Sequence, residues 1–400
     1  VNRRAPVAAR SLLCRVVLPL LVLLAVFFVA CGAEAATNEF YYAQSYSPYA
    51  MYAATLNANG TVGVPTTVYT ATTGSPEAVA VDTQNGYLYF SDPNYMNTGV
   101  GSVHAIYRAN LDGSNVQPFI TGVYANGLAV DPVHGYIFYS QSFSLDATHN
   151  YFNVVRASLS NLTQTVTIYT SAAGSPEAVA VDPNGNNGTG YIYYSDPYSS
   201  VHAIYRANLD GTGAITLISN VHARGLAVDG IHGKIYYSEA YSPTFQVCEA
   251  NLDGLGTPSV IYTSGTGSPK AVALDLAGNS GNGYLYFSDP HSSVAKIFRS
   301  NLDGSGQTAI VSNVNADGIG VYDITPPNAP IVTGTTPTSN TTPTWTWTSG
   351  GNGGNGTFRY KLDDSNLASG ATTTTATSFT PGSAMALGSH TLYVQERDAA

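Results

Sequence analysis

The stretch GSPEAVAVD at 74–82 returns unchanged at 174–182 and as GSPKAVALD at 267–275. Between these copies lie weaker relatives: YANGLAVD at 124–131, HARGLAVD at 222–229 and NADGIGVYD at 315–323. Aligned on Asp82, Asp131, Asp182, Asp229, Asp275 and Tyr322, the copies are 49, 51, 47, 46 and 47 residues apart. Such a period marks a repeat architecture.

Each copy but the last leads into an aromatic run: YLYFSD (87–92), YIFYSQ (136–141), YIYYSD (191–196), KIYYSE (234–239) and YLYFSD (284–289). A third run follows, as in HAIYRANLDG (104–113, 202–211) and AKIFRSNLDG (295–304), then a shorter fourth such as VTIYT or SVIYT. Turn residues separate the runs. Four short strands in about 40–50 residues make the blade of a β-propeller. Small residues such as Ala78, Ala80, Gly127 and Ala129 suit a crowded innermost strand, and aromatics fill the wedge as blades diverge. The run NEFYYAQ (38–44) lacks an inner strand, while 317–324 lacks an aromatic partner. Joining them in one composite blade predicts six blades over 37–324.

Composition agrees. Only 10% of the 400 residues are charged, against 29 Tyr, 40 Gly and an apolar fraction of 44%, where an ordinary soluble chain is about 25% charged. Disorder and a helical bundle are excluded. Four of the 15 basic residues (Arg3, Arg4, Arg10, Arg15) lie at the start and Glu34 is the only acid before residue 37, leaving 11 basic against 24 acidic beyond it. Nucleic-acid binding, which rests on Lys and Arg at phosphates, is set aside.

Residues 1–36 combine an Arg-rich start, the apolar run VVLPLLVLLAVFFVACGA (16–33) and the small-x-small Ala33-Glu34-Ala35. They read as a cleaved signal peptide, with lipidation at Cys31 or an uncleaved anchor as alternatives. Each exports the rest, to the extracellular space or the cell envelope. Val1 as first residue suggests an alternative start codon or a fragment. With Cys14 and Cys31 in this leader, Cys248 is left as a lone thiol, expected to be a buried small hydrophobe.

The units GLAVD, Y-[FY]-S-D and I-[YF]-R-[AS]-N-L-D-G together resemble the LDL-receptor class B (YWTD) repeat, an extracellular six-bladed propeller family. The resemblance spans about 38–324. No propeller position is Trp, two second strands end in Gln and one in Glu, and no Cys-rich module follows, so the family's ligands do not carry over.

Residues 325–343 read as a Pro/Thr linker and first strand. In 344–400 the alternating runs TWTWTS (344–349), TFRYKLDD (357–364) and HTLYVQERD (390–398) suggest half-buried strands of a sandwich. Trp345 and Trp347 would share its core face. The pattern is similar to bacterial Ig-like repeats of large surface proteins, which implies an Ig-like β-sandwich that is incomplete here. The fold class is therefore all-β: a six-bladed β-propeller followed by an incomplete Ig-like β-sandwich.

Five residues before each aligned position stand Glu77, Asn126, Glu177, Arg224, Lys270 and Asp317, expected to ring the channel mouth. Just outside would come the second-strand ends Gln44, Asp92, Gln141, Asp196, Glu239 and Asp289. Equivalent positions that differ in charge are where a propeller can be individualised for a ligand. Repeated aspartates in AVD and NLDG read as turn caps instead, and His104, His134, His202 and His232, being repeat equivalents, read as structural. NLDGSG (301–306) and DPNGNNG (182–188) are short of the spacing of a calcium loop. No GxSxG, HExxH, CxxC or Walker loop is present. The expectation is an exported, non-catalytic binding or adhesion protein without cofactor, its partner a protein or glycan at the cell surface. The alternative is a propeller hydrolase of the lactonase kind with a divalent ion in the channel; a purely structural stalk is a third reading.

Overall fold

A computed structural model of the chain describes residues 38–57, 60–71, 74–93, 104–144, 150–172, 174–241, 244–265, 267–290, 295–322, 329–335, 338–350, 354–367 and 369–398. The leader at 1–36 and Cys31 lie outside these residues, as do 323 and 324 at the end of the expected composite blade.

Among the described residues, six antiparallel sheets have four strands each. Five use consecutive strands, as in Val79–Asp82, Tyr87–Asp92, Ala105–Asn110 and Gln117–Thr121. The other is composite: Ala316–Tyr322 pairs with Glu39–Gln44, which continues into Ala50–Thr55 and Thr66–Thr70. The early aromatic run thus finds its missing inner strand at the far end of the propeller sequence.

First strands contact one another in cyclic order. Val79–Asp82 touches Ala125–Asp131, which touches Val179–Asp182; the chain of contacts runs on through Ala223–Asp229, Val272–Asp275 and Ala316–Tyr322, back to Val79–Asp82. An apolar layer fills the space between each neighbouring pair of sheets. Second strands supply its bulk: Tyr89, Phe90, Phe138, Tyr193, Tyr194, Tyr236, Tyr237, Tyr286 and Phe287 are all at most 2% exposed. Each such ring removes apolar surface worth about 1.5–3 kcal/mol from water. Burial on both faces explains why the second strands read as nearly unbroken apolar runs.

The outer strands carry no charge to discourage pairing with another chain. In all six sheets, however, the third strand shifts register against the fourth at the same place, between Met51 and Tyr52, Ile106 and Tyr107, Val154 and Val155, Ile204 and Tyr205, Val247 and Cys248, and Ile297 and Phe298. Such bulges twist an edge out of plane.

Beyond the propeller, Ile331–Gly334, Trp345–Thr348 and Ser378–Phe379 form one three-stranded sheet. Thr372–Thr374, Gly354–Leu362 and Leu392–Asp398 form another. Trp347, Phe358 and Leu392 are buried between them, with Trp345 packed alongside. Ile331–Gly334 pairs with the Trp strand.

Candidate functional site

The second-strand ends come first, because the structure separates two kinds of sheet that alternate round the ring. Where the inner strand begins GSP, the second strand ends in Asp, and that carboxylate is enclosed. Asp92 Oδ1 accepts the Ser75 N–H at 2.9 Å while Oδ2 accepts the Tyr69 hydroxyl at 2.8 Å. Asp196 does the same with Ser175 and Tyr169, at 2.9 Å each, and Asp289 with Ser268 at 3.0 Å and Tyr262 at 2.8 Å. The tyrosine always comes from the fourth strand of the preceding sheet. Gly74, Gly174 and Gly267 lie so close that a Cβ there would strike these carboxylates. In the other sheets Gln141 Oε1 accepts the Tyr124 N–H at 3.2 Å, and Glu239 Oε1 the His222 N–H at 3.5 Å. Asp92, Asp196 and Asp289 are at most 2% exposed and Glu239 is 9% exposed. In this outer ring Asp92, Asp196 and Asp289 thus hold loops and neighbouring sheets.

The inner six positions behave differently. Asn126 bonds the Ser142 hydroxyl beside it. The other five converge into ion pairs between sheets. Arg224 Nε lies 2.8 Å from Glu177 Oε2, with its Nη2 3.4 Å from Oε1. Lys270 Nζ lies 2.7 Å from Asp317 Oδ2 and 3.7 Å from Glu77 Oε2. Arg224 and Lys270 are neighbours in ring order, yet each leans toward carboxylates on its far side. Like charges separate, and each cation finds an anion. Although burial works against them, Asp317 and Glu77 hold the Lys270 ammonium charged, and Glu177 does the same for Arg224.

Close approach of the inner strands makes this meeting possible. Gly127, Gly225 and Gly318 stand where a Cβ would run into the carbonyls of Glu177, Lys270 and Glu77 respectively. The Ser140 and Ser238 hydroxyls donate to the first two of those carbonyls. Main chains thus touch directly behind the charged side chains.

This donor set does not fit a divalent ion. Carboxylates that would ligate it are already bound to an ammonium and a guanidinium, which would repel the metal. Among the described residues no group of His, Cys, Asp or Glu is arranged to hold one. The two loops with partial calcium-site sequence close on themselves: Asp303 Oδ1 accepts the Ser305 N–H, and Asp182 Oδ1 those of Asn184 and Gly185. Aspartates in AVD and NLDG cap turns throughout, as in Asp82 with Asn85 and Asp112 with Ser114. His134 and His232 each bond the capping aspartate three residues before, while His104 and His202 bond proline carbonyls. Cys248 is 3% exposed, and burial pushes its thiol up to about 11, where little thiolate forms near neutrality.

Comparison with known proteins finds no matching family model and no matching curated protein. Solved structures do match. A chain of a nidogen/laminin complex superposes with a TM-score of 0.56 at 18% identity, covering 72% of this chain and 98% of that one. TolB from Acinetobacter baumannii gives 0.55 at 13% identity, covering 72% of this chain and 66% of its own. At such identities the likeness is one of fold, and it agrees with the repeated four-stranded sheets: the chain contains a β-propeller.

Proposed function

We propose that the chain is an exported, non-catalytic binding or adhesion protein. In this reading a closed six-bladed propeller of the YWTD kind presents a ligand platform around its channel mouth, and an Ig-like module follows as spacer. The partner is a protein or glycan at the cell surface, reached through the N-terminal export sequence or through a lipid on Cys31. One observation carries the reading. At six repeat-equivalent positions the chain places Glu77, Asn126, Glu177, Arg224, Lys270 and Asp317, and their charges are matched to one another (Arg224 with Glu177, Lys270 with Asp317) rather than poised as a free base or nucleophile. Patterned polarity in an otherwise charge-poor propeller suits recognition. The metal-dependent hydrolase gains no support from carboxylates already paired.

Glycan and protein arrays probed with the full chain provide the test. A ligand bound by the wild type is expected to lose at least tenfold in affinity when Glu177→Ala and Arg224→Ala are combined. Unchanged affinity would move the platform away from the mouth, and silence on both arrays would favour a structural stalk.

A further inference from the structure

The mouth network contains three carboxylates and two cations, so full ionisation leaves one negative charge over. It sits where charge is poorly solvated: the side chains of Glu77 and Lys270 are 12% exposed and that of Asp317 6%. A buried charge without a partner costs several kcal/mol, roughly, and proteins avoid it by pairing or by protonation.

Geometry locates the excess. Arg224 is engaged by Glu177 through two contacts. Lys270 serves both remaining carboxylates, Asp317 closely and Glu77 more loosely. Asp317 Oδ1 is buried and, among the described residues, has no hydrogen-bond donor. Buried carboxylate oxygens are nearly always bonded, and a protonated carboxyl next to it on the same ammonium would supply the donor. We propose that Glu77 and Asp317 hold one proton between them over Lys270, making the channel mouth a pH-sensitive plug: neutral and tight while the proton is kept, charged and loosened once it leaves for solvent.

The electrostatics run the same way. Burial is the largest influence on Glu77 and pushes its carboxyl up to about 7; Lys270 opposes, Asp317 and Glu177 add, and Arg224 opposes weakly. Tyr198 faces the same network from the Arg224 side, and Asn126 contributes no charge. Because the folded state binds the proton more tightly than the unfolded chain does, the stabilisation is fully present below the ordinary glutamate value of 4.5. It is lost as pH rises through about 7. The inference does not depend on what the mouth binds.

Glutamate-selective ¹³Cδ labelling of the full chain tests it, since there are only seven glutamates to resolve. One carbonyl signal is expected to titrate near neutral pH, to vanish in Glu77→Gln and to move to lower pH in Asp317→Asn. Urea unfolding between pH 5 and 8 should show the wild-type midpoint falling more steeply than that of Glu77→Gln. If all seven signals finish titrating below pH 6, or if the two unfolding series run parallel, the shared proton is wrong. Should either variant fail to fold, the wild-type titration decides alone.

Discussion

Lys270→Met is expected to destabilise the chain by about 3–5 kcal/mol at pH 8, because it removes the cation that two buried carboxylates share. Methionine replaces the stem of the lysine but removes the ammonium that both Asp317 and Glu77 contact. Part of the loss should return at pH 5, where Glu77 is protonated, and part should return at any pH when Glu77→Gln is added. Chemical denaturation of the single and double variants at the two pH values measures all of this. A loss below about 1 kcal/mol at pH 8 would class the network with exposed ion pairs, which contribute little.

Gly225→Ala is the second large effect, and here the cause is steric. The new methyl would meet the Lys270 carbonyl, with the Ser238 hydroxyl 3.0 Å away. Since the obstacle is main chain, no rotamer change can relieve it and two inner strands must part. Overpacking in a core costs about 1–3 kcal/mol, and a collision with backbone belongs at the upper end. We expect a loss of about 3 kcal/mol in denaturant unfolding and weaker protection of the amides of 271–275 in hydrogen exchange. Gly233→Ala makes an informative contrast. That residue has open space around its missing Cβ, and its φ of 68° makes the penalty one of backbone conformation alone.

Much of the architecture could be read from the chain because each repeat restates it. The AVD strands, the aromatic strands and the NLDG turns all fall where the recurrence puts them, and the orphan run at 38–44 found its partner at 316–322. Turn capping by Asp112 or Asp303 was legible because Asp followed by Gly has a local mechanism. What escaped was long-range. Tyr69, Tyr169 and Tyr262 look like any other fourth-strand residues, yet each closes a hydrogen bond to a neighbouring sheet. With hindsight the signal was present: tyrosine at that place occurs in the sheet before each GSP copy. It marks a two-sheet unit used three times rather than one sheet used six times. The short strands Thr372–Thr374 and Ser378–Phe379 lay in a Thr-rich stretch without alternation.

Spacing put six repeat-equivalent positions in one ring, five of which meet in ion pairs, but gave no hint of who pairs with whom. Arg224 and Lys270 read as an adjacent cationic pair; the structure turns them apart because Glu177 lies on one side and Asp317 on the other. That preference depends on side-chain reach across sheets, which a linear sequence does not encode in any short window.

The claim that unites these observations is that Glu77, Glu177, Arg224, Lys270 and Asp317 form a self-paired charge network and not a metal centre. Elemental analysis of the purified chain, dialysed at pH 7.5 against buffer containing micromolar calcium, magnesium, zinc and manganese, tests it most directly. Well under one equivalent of any divalent ion should remain bound, with no difference between the wild type and Glu77→Gln. One equivalent retained by the wild type and lost in Glu77→Gln would contradict it.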